Sequence, residues 1–283
     1  MLAMMIPTEV LGGGILLLLV ILLSASHVVR YCVKFTVFIL LSTVAATAFI
    51  PLMLLKPCDY RNALLPAWGA RQISKLLGLK WKVRGLENVV KDSGCVVIIN
   101  HQSALDLLVL AEIWPLMERC TVIAKREVFF FWPFGLACWL WGTIFIDRLN
   151  VEKAITTVNK TGETIRSKKA RVCMFPEGTR NSETEMLPFK KGAFHIAIAS
   201  QTYVQPVVVS RYYFLDAKRH IFNTGENVIS ILPAISTKNM QRDDIESLMQ
   251  KARNSMTTEI AKISEEVTQR KSEIHVNSSP KSD

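Results

Sequence analysis

Two apolar runs fill most of the first 55 positions of this chain and constrain its fold more than anything that follows. Residues 9–29 (EVLGGGILLLLVILLSASHVV) and 35–55 (FTVFILLSTVAATAFIPLMLL) are separated by a short stretch that carries Arg30 and Lys34. Each run is close to the roughly 20 residues a helix needs to cross a bilayer. A two-helix membrane anchor over residues 1–56 is therefore predicted. The Gly12-Gly13-Gly14 triplet and the charged break leave open whether the pair spans the bilayer or dips into one leaflet as a hairpin. The leading residues MLAMMIPTE hold no Lys or Arg, and a second apolar run follows at once, which disfavours a cleaved signal peptide.

A formal charge of +10 over 283 residues suits a partner with an anionic surface: phospholipid headgroups, nucleic acid or a phosphorylated substrate. Charge alone does not choose among these. The anchor favours a phospholipid membrane, and no nucleic-acid partner is expected. The six cysteines are scattered without a C-x-x-C pair, so neither a zinc site nor a disulfide framework is indicated, and the catalytic part is expected to face the cytosol.

After Lys56 the sequence changes to short β-like runs alternating with amphipathic stretches, the pattern of an α/β domain over residues 57–270. Candidate strands are 81–83, 96–100, 121–124, 143–146, 172–175, 204–209 and 228–232, with helices expected at 104–117, 151–167, 191–200 and 241–268. The tail 271–283 is polar and expected to be disordered. The chain has no P-loop, no G-x-G-x-x-G and no G-x-S-x-G elbow.

The sharpest local feature is Asn100-His101-Gln102-Ser103-Ala104-Leu105-Asp106, directly after the apolar run CVVII. On one continuous helix, positions five apart lie roughly 140° apart around the axis and could not easily touch. The strand must therefore end near His101, and a turn must bring Asp106 back beneath it from the start of the next helix. A carboxylate there can hold one imidazole nitrogen and leave the other free to take a proton from an alcohol. The alternative is a structural His–Asp hydrogen bond that caps the helix.

A second segment, Phe175-Pro176-Glu177-Gly178-Thr179-Arg180, also ends an apolar run, and so falls on the edge that such sheets use for ligands. Arg180 offers a planar donor fork suited to phosphate and Gly178 allows close backbone approach. EGTR could equally be a surface turn. Between the two segments, residues 128–146 carry no charge but are interrupted by Pro133, Gly135 and Gly142. A third membrane span there would set His101 and Arg180 on opposite sides of the bilayer. An apolar wall that meets the membrane or lines an acyl channel is preferred.

NHQSALD, KREVFFFWPFG…GTIFIDR, FPEGTR and QPVVVS stand in the order of the four sequence blocks of the glycerolipid acyltransferase family, and with FKKGAFHIA they cover most of residues 95–210. The chain resembles most the 1-acyl-sn-glycerol-3-phosphate O-acyltransferases of that family. The resemblance implies a mixed central sheet flanked by helices behind the two-helix anchor. It implies that His101 is the general base and Asp106 its orienting partner. Arg148, Glu177, Gly178, Thr179 and Arg180 would bind the acceptor's phosphate and glycerol, with Pro206 in a hydrophobic supporting role.

It further implies acyl-CoA and lysophosphatidic acid as substrates, phosphatidic acid as product, no cofactor or metal, and an endoplasmic reticulum membrane with the domain on the cytosolic side. Residue chemistry agrees except at Glu177. A carboxylate beside an anionic substrate is expected to orient Arg180 or a glycerol hydroxyl instead of touching phosphate. The alternatives are another lysophospholipid or glycerol-3-phosphate as acceptor, and a catalytically silent membrane scaffold of the same fold, which an intact His101, Asp106 and Arg180 disfavour.

Overall fold

The computed structural model describes Gly13, residues 26–147 and residues 151–278, with only the backbone course for 151–155, 158 and 273–278. The first apolar run up to Ala25, and Arg148 among the expected site residues, lie outside the described residues.

Helix α1 (His27–Thr47) and the short α2 (Ile50–Met53) form one apolar segment, and only 11% of its most apolar window is buried. Arg30 and Lys34, expected to separate two anchors, both lie inside α1. A lone basic residue costs a helix little, and Lys34 has a partner: its Nζ donates to Leu77 O at 3.0 Å and sits 5.0 Å from the centroid of the Phe222 ring. Phe35 packs on the same ring and Phe38 is buried in the catalytic core. The boundary expected at Lys56 is therefore no break in packing. A 3₁₀ turn at Tyr60–Ala63 leads into α3 (Leu64–Leu76), which lies against α1 so closely that a Cβ on Gly69 would come within 2.9 Å of Ala45 Cβ.

The sheet is built from β1 (Leu79–Arg84), β2 (Cys95–Ile99), β3 (Cys120–Lys125), β4 (Ile144–Ile146), β5 (Arg171–Met174), β6 (Tyr203–Val209), β9 (Gly225–Ile231) and β10 (Ile235–Ser236), in the order β1-β9-β6-β2-β5-β3-β4, with β10 added to β6. A separate hairpin pairs β7 (Leu215–Asp216) with β8 (Ile221–Phe222). β6, β2, β5, β3 and β4 run parallel, whereas β9 and β1 run parallel to each other and antiparallel to β6.

Strand β2 is buried on both faces, as the apolar run CVVII requires of a central strand in a covered sheet. Its alternating side chains divide between two cores. Cys95, Val97 and Ile99 face α1, α3 and α4 (Asp106–Met117), while Val96 and Ile98 face α6 (Val151–Lys168), α7 (Gly192–Ser200) and α8 (Ile245–Ser278). Residues 128–146 form no span: a 3₁₀ turn at Arg126–Phe130, helix α5 (Phe134–Leu140) and strand β4 share them. Of the polar tail 271–283, expected to be disordered, residues 271–278 continue α8, because extending a packed helix adds one hydrogen bond for each residue fixed and TQRKSE favours that state; 279–283 lie outside the described residues.

Candidate active site

Strands β2 and β5 are hydrogen-bonded neighbours running in the same direction, so the loops that leave their carboxyl ends meet. The first loop carries His101. Asn100, fully buried, extends the β2–β6 ladder with its side chain: Nδ2 donates to Val209 O at 3.0 Å and Oδ1 accepts from Val209 N at 2.8 Å. Gln102 Nε2 donates to Ser210 O at 3.0 Å. The chain then turns through Ser103, whose Oγ accepts from Leu105 N, and enters α4 at Asp106.

This turn produces the expected His–Asp contact. His101 Nδ1 lies 2.7 Å from Asp106 Oδ2. The same oxygen accepts from Gln102 N at 2.7 Å and Ser103 N at 3.1 Å, while Oδ1 accepts from Tyr212 Oη at 2.7 Å. An ionised carboxylate only accepts, so Nδ1 carries the proton and Nε2 is left as the free base. Asp106 is 2% exposed, and its hydrogen bonds to Gln102 N and Tyr212 Oη are buried. The imidazole is stacked on Phe175, with ring centroids 4.0 Å apart and an interplanar angle of 21°.

The second loop holds the first by its backbone. Glu177 Oε1 accepts from His101 N at 2.9 Å and Oε2 accepts from Leu187 N at 3.0 Å. Asn181 N donates to His101 O at 2.8 Å. Glu177, also 2% exposed, is thus occupied by two amides and does not orient Arg180 or face the substrate space. It fixes the loop that carries His101. Gly178 sits at φ +72°, where a Cβ would be strained and would press within 2.9 Å of the Lys190 side chain. Arg211 spans the outer side of this loop, donating from Nη1 to Asn181 O and from Nη2 to Thr184 O; burial pushes its guanidinium pKa down.

His101, Gly178, Thr179 and Arg180 line one end of a cavity of about 860 Å³. Lys125, at the carboxyl end of β3, lines it too. Sequence reasoning quoted this lysine without a role, although the strand-end rule that selected His101 applies equally to it. Away from these polar groups the wall is mostly apolar, with Phe38 and Ala46 of α1, Ala67 and Ala70 of α3, Ala111 and Trp114 of α4, and Phe131, Phe134 and Cys138 from the 128–146 segment, and with the hydroxyls of Ser42, Thr43 and Thr143 among them. Part of that segment faces outward: Phe130 is 68% and Trp132 75% exposed. Pro206 does not reach the cavity. It is buried within β6, paired in register with Ile98, and belongs to the sheet.

The chain matches the Acyltransferase family over residues 80–210. It is 38% identical over 220 residues to human 1-acyl-sn-glycerol-3-phosphate acyltransferase alpha, covering 77% of each chain. It is 34% identical over 252 residues to the human beta protein, covering 88% of this chain and 90% of that one. Among solved structures it superposes on the 1-acyl-sn-glycerophosphate acyltransferase PlsC from Thermotoga maritima with a TM-score of 0.65 at 20% identity, over 83% of this chain and 97% of that one, a likeness of fold. At these identities and coverages the chain belongs to the acyltransferase family, among the 1-acyl-sn-glycerol-3-phosphate acyltransferases.

Proposed function

We propose that the protein transfers a fatty acyl group from acyl-CoA to the 2-hydroxyl of 1-acyl-sn-glycerol-3-phosphate, lysophosphatidic acid, and so makes phosphatidic acid. The observation that carries this is the His101–Asp106 pair opening onto the apolar cavity with Arg180 at the same end. His101 Nε2 withdraws the proton of the acceptor hydroxyl. The oxygen attacks the thioester carbonyl carbon, and the tetrahedral oxyanion collapses by breaking the carbon–sulfur bond. The proton held by the imidazolium returns to the departing CoA thiolate. The transferred chain occupies the apolar part of the cavity, whose volume lies within the ~300–1,000 Å³ usual for small-molecule sites. Arg180 and Lys125 hold the acceptor phosphate.

The test uses purified full-length protein, acyl-CoA and lysophosphatidic acid, with His101→Ala beside it. CoA release that depends on the acceptor and vanishes in the variant supports the reading. Equal turnover with glycerol-3-phosphate or another lysophospholipid replaces the acceptor.

The same reading seats the enzyme in a phospholipid membrane, at the endoplasmic reticulum by family resemblance. Outward apolar side chains on α1 and α2 (Ile39, Val44, Leu52) and the exposed Phe130 and Trp132 support a membrane-facing surface. In vesicles of lipids brominated near the headgroup, Trp132→Phe is expected to lose a measurable share of the tryptophan quenching. Unchanged quenching would set this loop in water.

A further inference from the structure

We infer that Tyr212 is a third, positioning member of the catalytic pair, acting on His101 only through Asp106. The inference rests on the proposed role of His101 as general base, and begins from which oxygen of Asp106 does what. Oδ2 faces Nδ1 of the imidazole and two amides of its own turn. Those contacts alone leave Oδ1 without a donor in a place closed to water. Tyr212 Oη supplies it at 2.7 Å, from just beyond the end of the neighbouring strand β6 and 106 residues away. The pairing uses both oxygens, so the carboxylate cannot rotate to exchange them without breaking a buried hydrogen bond.

Tyr212 is itself fixed. Its ring packs edge-on against Trp81 at 6.0 Å and lies 5.5 Å from Phe214, and Trp81 is held by its Nε1 donating to Ser74 Oγ at 3.0 Å. Burial, with the charge of Asp106 adding to it, holds the phenol pKa well above 10. The hydroxyl therefore remains a donor at every working pH. The chain around it serves the same loop: Ser210 O takes Gln102, Arg211 takes Asn181 and Thr184, and Tyr212 takes Asp106. Three consecutive residues beyond β6 thus grip three parts of the site.

The chemical consequence is a division of charge. A phenol donating to Oδ1 draws electron density from the carboxylate and weakens its hold on Nδ1–H. When that donor is removed, the carboxylate stabilises the imidazolium more strongly but is no longer fixed in place. The titratable and charged groups around the pair are His101, Tyr212, Arg211 from the end of β6, Glu177 and Arg180 from the β5 loop, and Lys125 from the end of β3. Arg211 and Glu177 are unchanged by the substitutions below.

The test measures kcat and kcat/KM against pH for full-length wild type, Tyr212→Phe, Asp106→Ala, the Asp106→Ala/Tyr212→Phe double variant and His101→Ala. Tyr212→Phe is expected to lower kcat about tenfold with both KM values held, and to move the acid limb of the profile to higher pH. In the Asp106→Ala background the same substitution should change nothing further. Replacing Tyr212 by 3-fluorotyrosine keeps the ring and makes the hydroxyl a stronger donor, so the acid limb should move to lower pH, and this variant also serves if the phenylalanine protein does not fold.

An acid limb that superposes on wild type in both variants, with kcat within twofold, overturns the assignment. So does a tenfold loss that persists undiminished on Asp106→Ala. If His101→Ala keeps its turnover the general-base reading itself falls; if His101→Ala is inactive and only the Tyr212 variants are silent, the pair stands and Tyr212 is packing.

Discussion

The two ends of the cavity are built on opposite principles. At the His101 end the groups that hold the turn are each partnered: Asp106 accepts four hydrogen bonds, Glu177 two, and the Asn100 side chain continues the sheet ladder. Removing one such group leaves a buried donor or acceptor unmet, costing about 1–3 kcal/mol of stability before any loss of chemistry. At the far end the wall includes Phe38, Ala70 and Ala111, where contact is non-directional and a substitution changes volume alone. Chemistry should therefore be lost abruptly by substitution at one end, and chain-length preference should drift gradually at the other.

The largest effect belongs to the base. His101→Ala should lower turnover by about 100- to 10,000-fold, and Asp106→Asn should remove much of it, because the carboxamide would set an NH₂ group where donors now converge on a carboxylate. Steady-state kinetics on membrane-reconstituted protein measure both. A His101→Ala enzyme that kept more than half its activity would break the contrast between the two ends at its strongest point.

That the polar end could be expected at all comes from one short-range argument. A strand followed seven residues later by a helix-initiating carboxylate leaves a single way for His101 and Asp106 to touch, and the observed turn follows it. Glu177 was misassigned for a reason just as physical. Its partners are backbone amides of His101 and Leu187, 76 and 10 residues away, and an amide leaves no mark in a sequence. Tyr212 and the α3 wall were invisible on the same ground. α3 tolerates Pro66 because it sits in the first turn, and Gly69 makes room for Ala45. The principal strands, in contrast, announced themselves as apolar runs bounded by turn residues. The three two-residue strands β7, β8 and β10 are too short to carry any such pattern.

Arg180 tests where the polar end stops. It is exposed, lines the cavity and belongs to the loop Glu177 fixes, so Arg180→Ala should spare the loop while removing a phosphate contact. A hydrogen bond to a charged group is worth about 1.5–3 kcal/mol, so the apparent affinity for lysophosphatidic acid should fall roughly 10- to 100-fold. Saturation by acyl-CoA should stay nearly constant. The opposite pattern, an intact acceptor response with impaired acyl-CoA saturation, would move Arg180 to the donor site.

A smaller, graded effect is expected at the apolar end. Ala70 is half-buried and lines the cavity, so Ala70→Leu should exclude the last carbons of a long acyl chain without disturbing the base. Each methylene kept out of apolar surroundings forfeits about 0.8 kcal/mol, or roughly fourfold in kcat/KM. Competition between long and short acyl-CoA donors reads the ratio directly. A uniform loss for all donors would mean that the wall at Ala70 is not where the chain lies.

The smallest effect lies outside the cavity and marks what an ordinary surface contact contributes to the same fold. Arg84 on β1 donates from Nη1 to Glu266 Oε2 at 2.7 Å and from Nη2 to Oε1, and Arg270 reaches Oε1 one helical turn later. These bonds, Arg84 first, pull the Glu266 carboxyl down to about 2 from its ordinary 4.5. The pair is partly exposed, 32% at Arg84 and 27% at Glu266, so solvent discounts its worth to about 1 kcal/mol. A folded-state value below the unfolded one gives stability that is whole above pH 4.5 and is lost as pH falls toward 2. Glu266→Gln should thus melt a few degrees lower at pH 7, with the gap to wild type shrinking between about pH 4.5 and 2. Thermal unfolding across that range decides it: a gap of constant size from pH 6 to pH 3 would assign the loss to the packing of α8 on β1, and charge would then matter to this protein only where the cavity wall is polar.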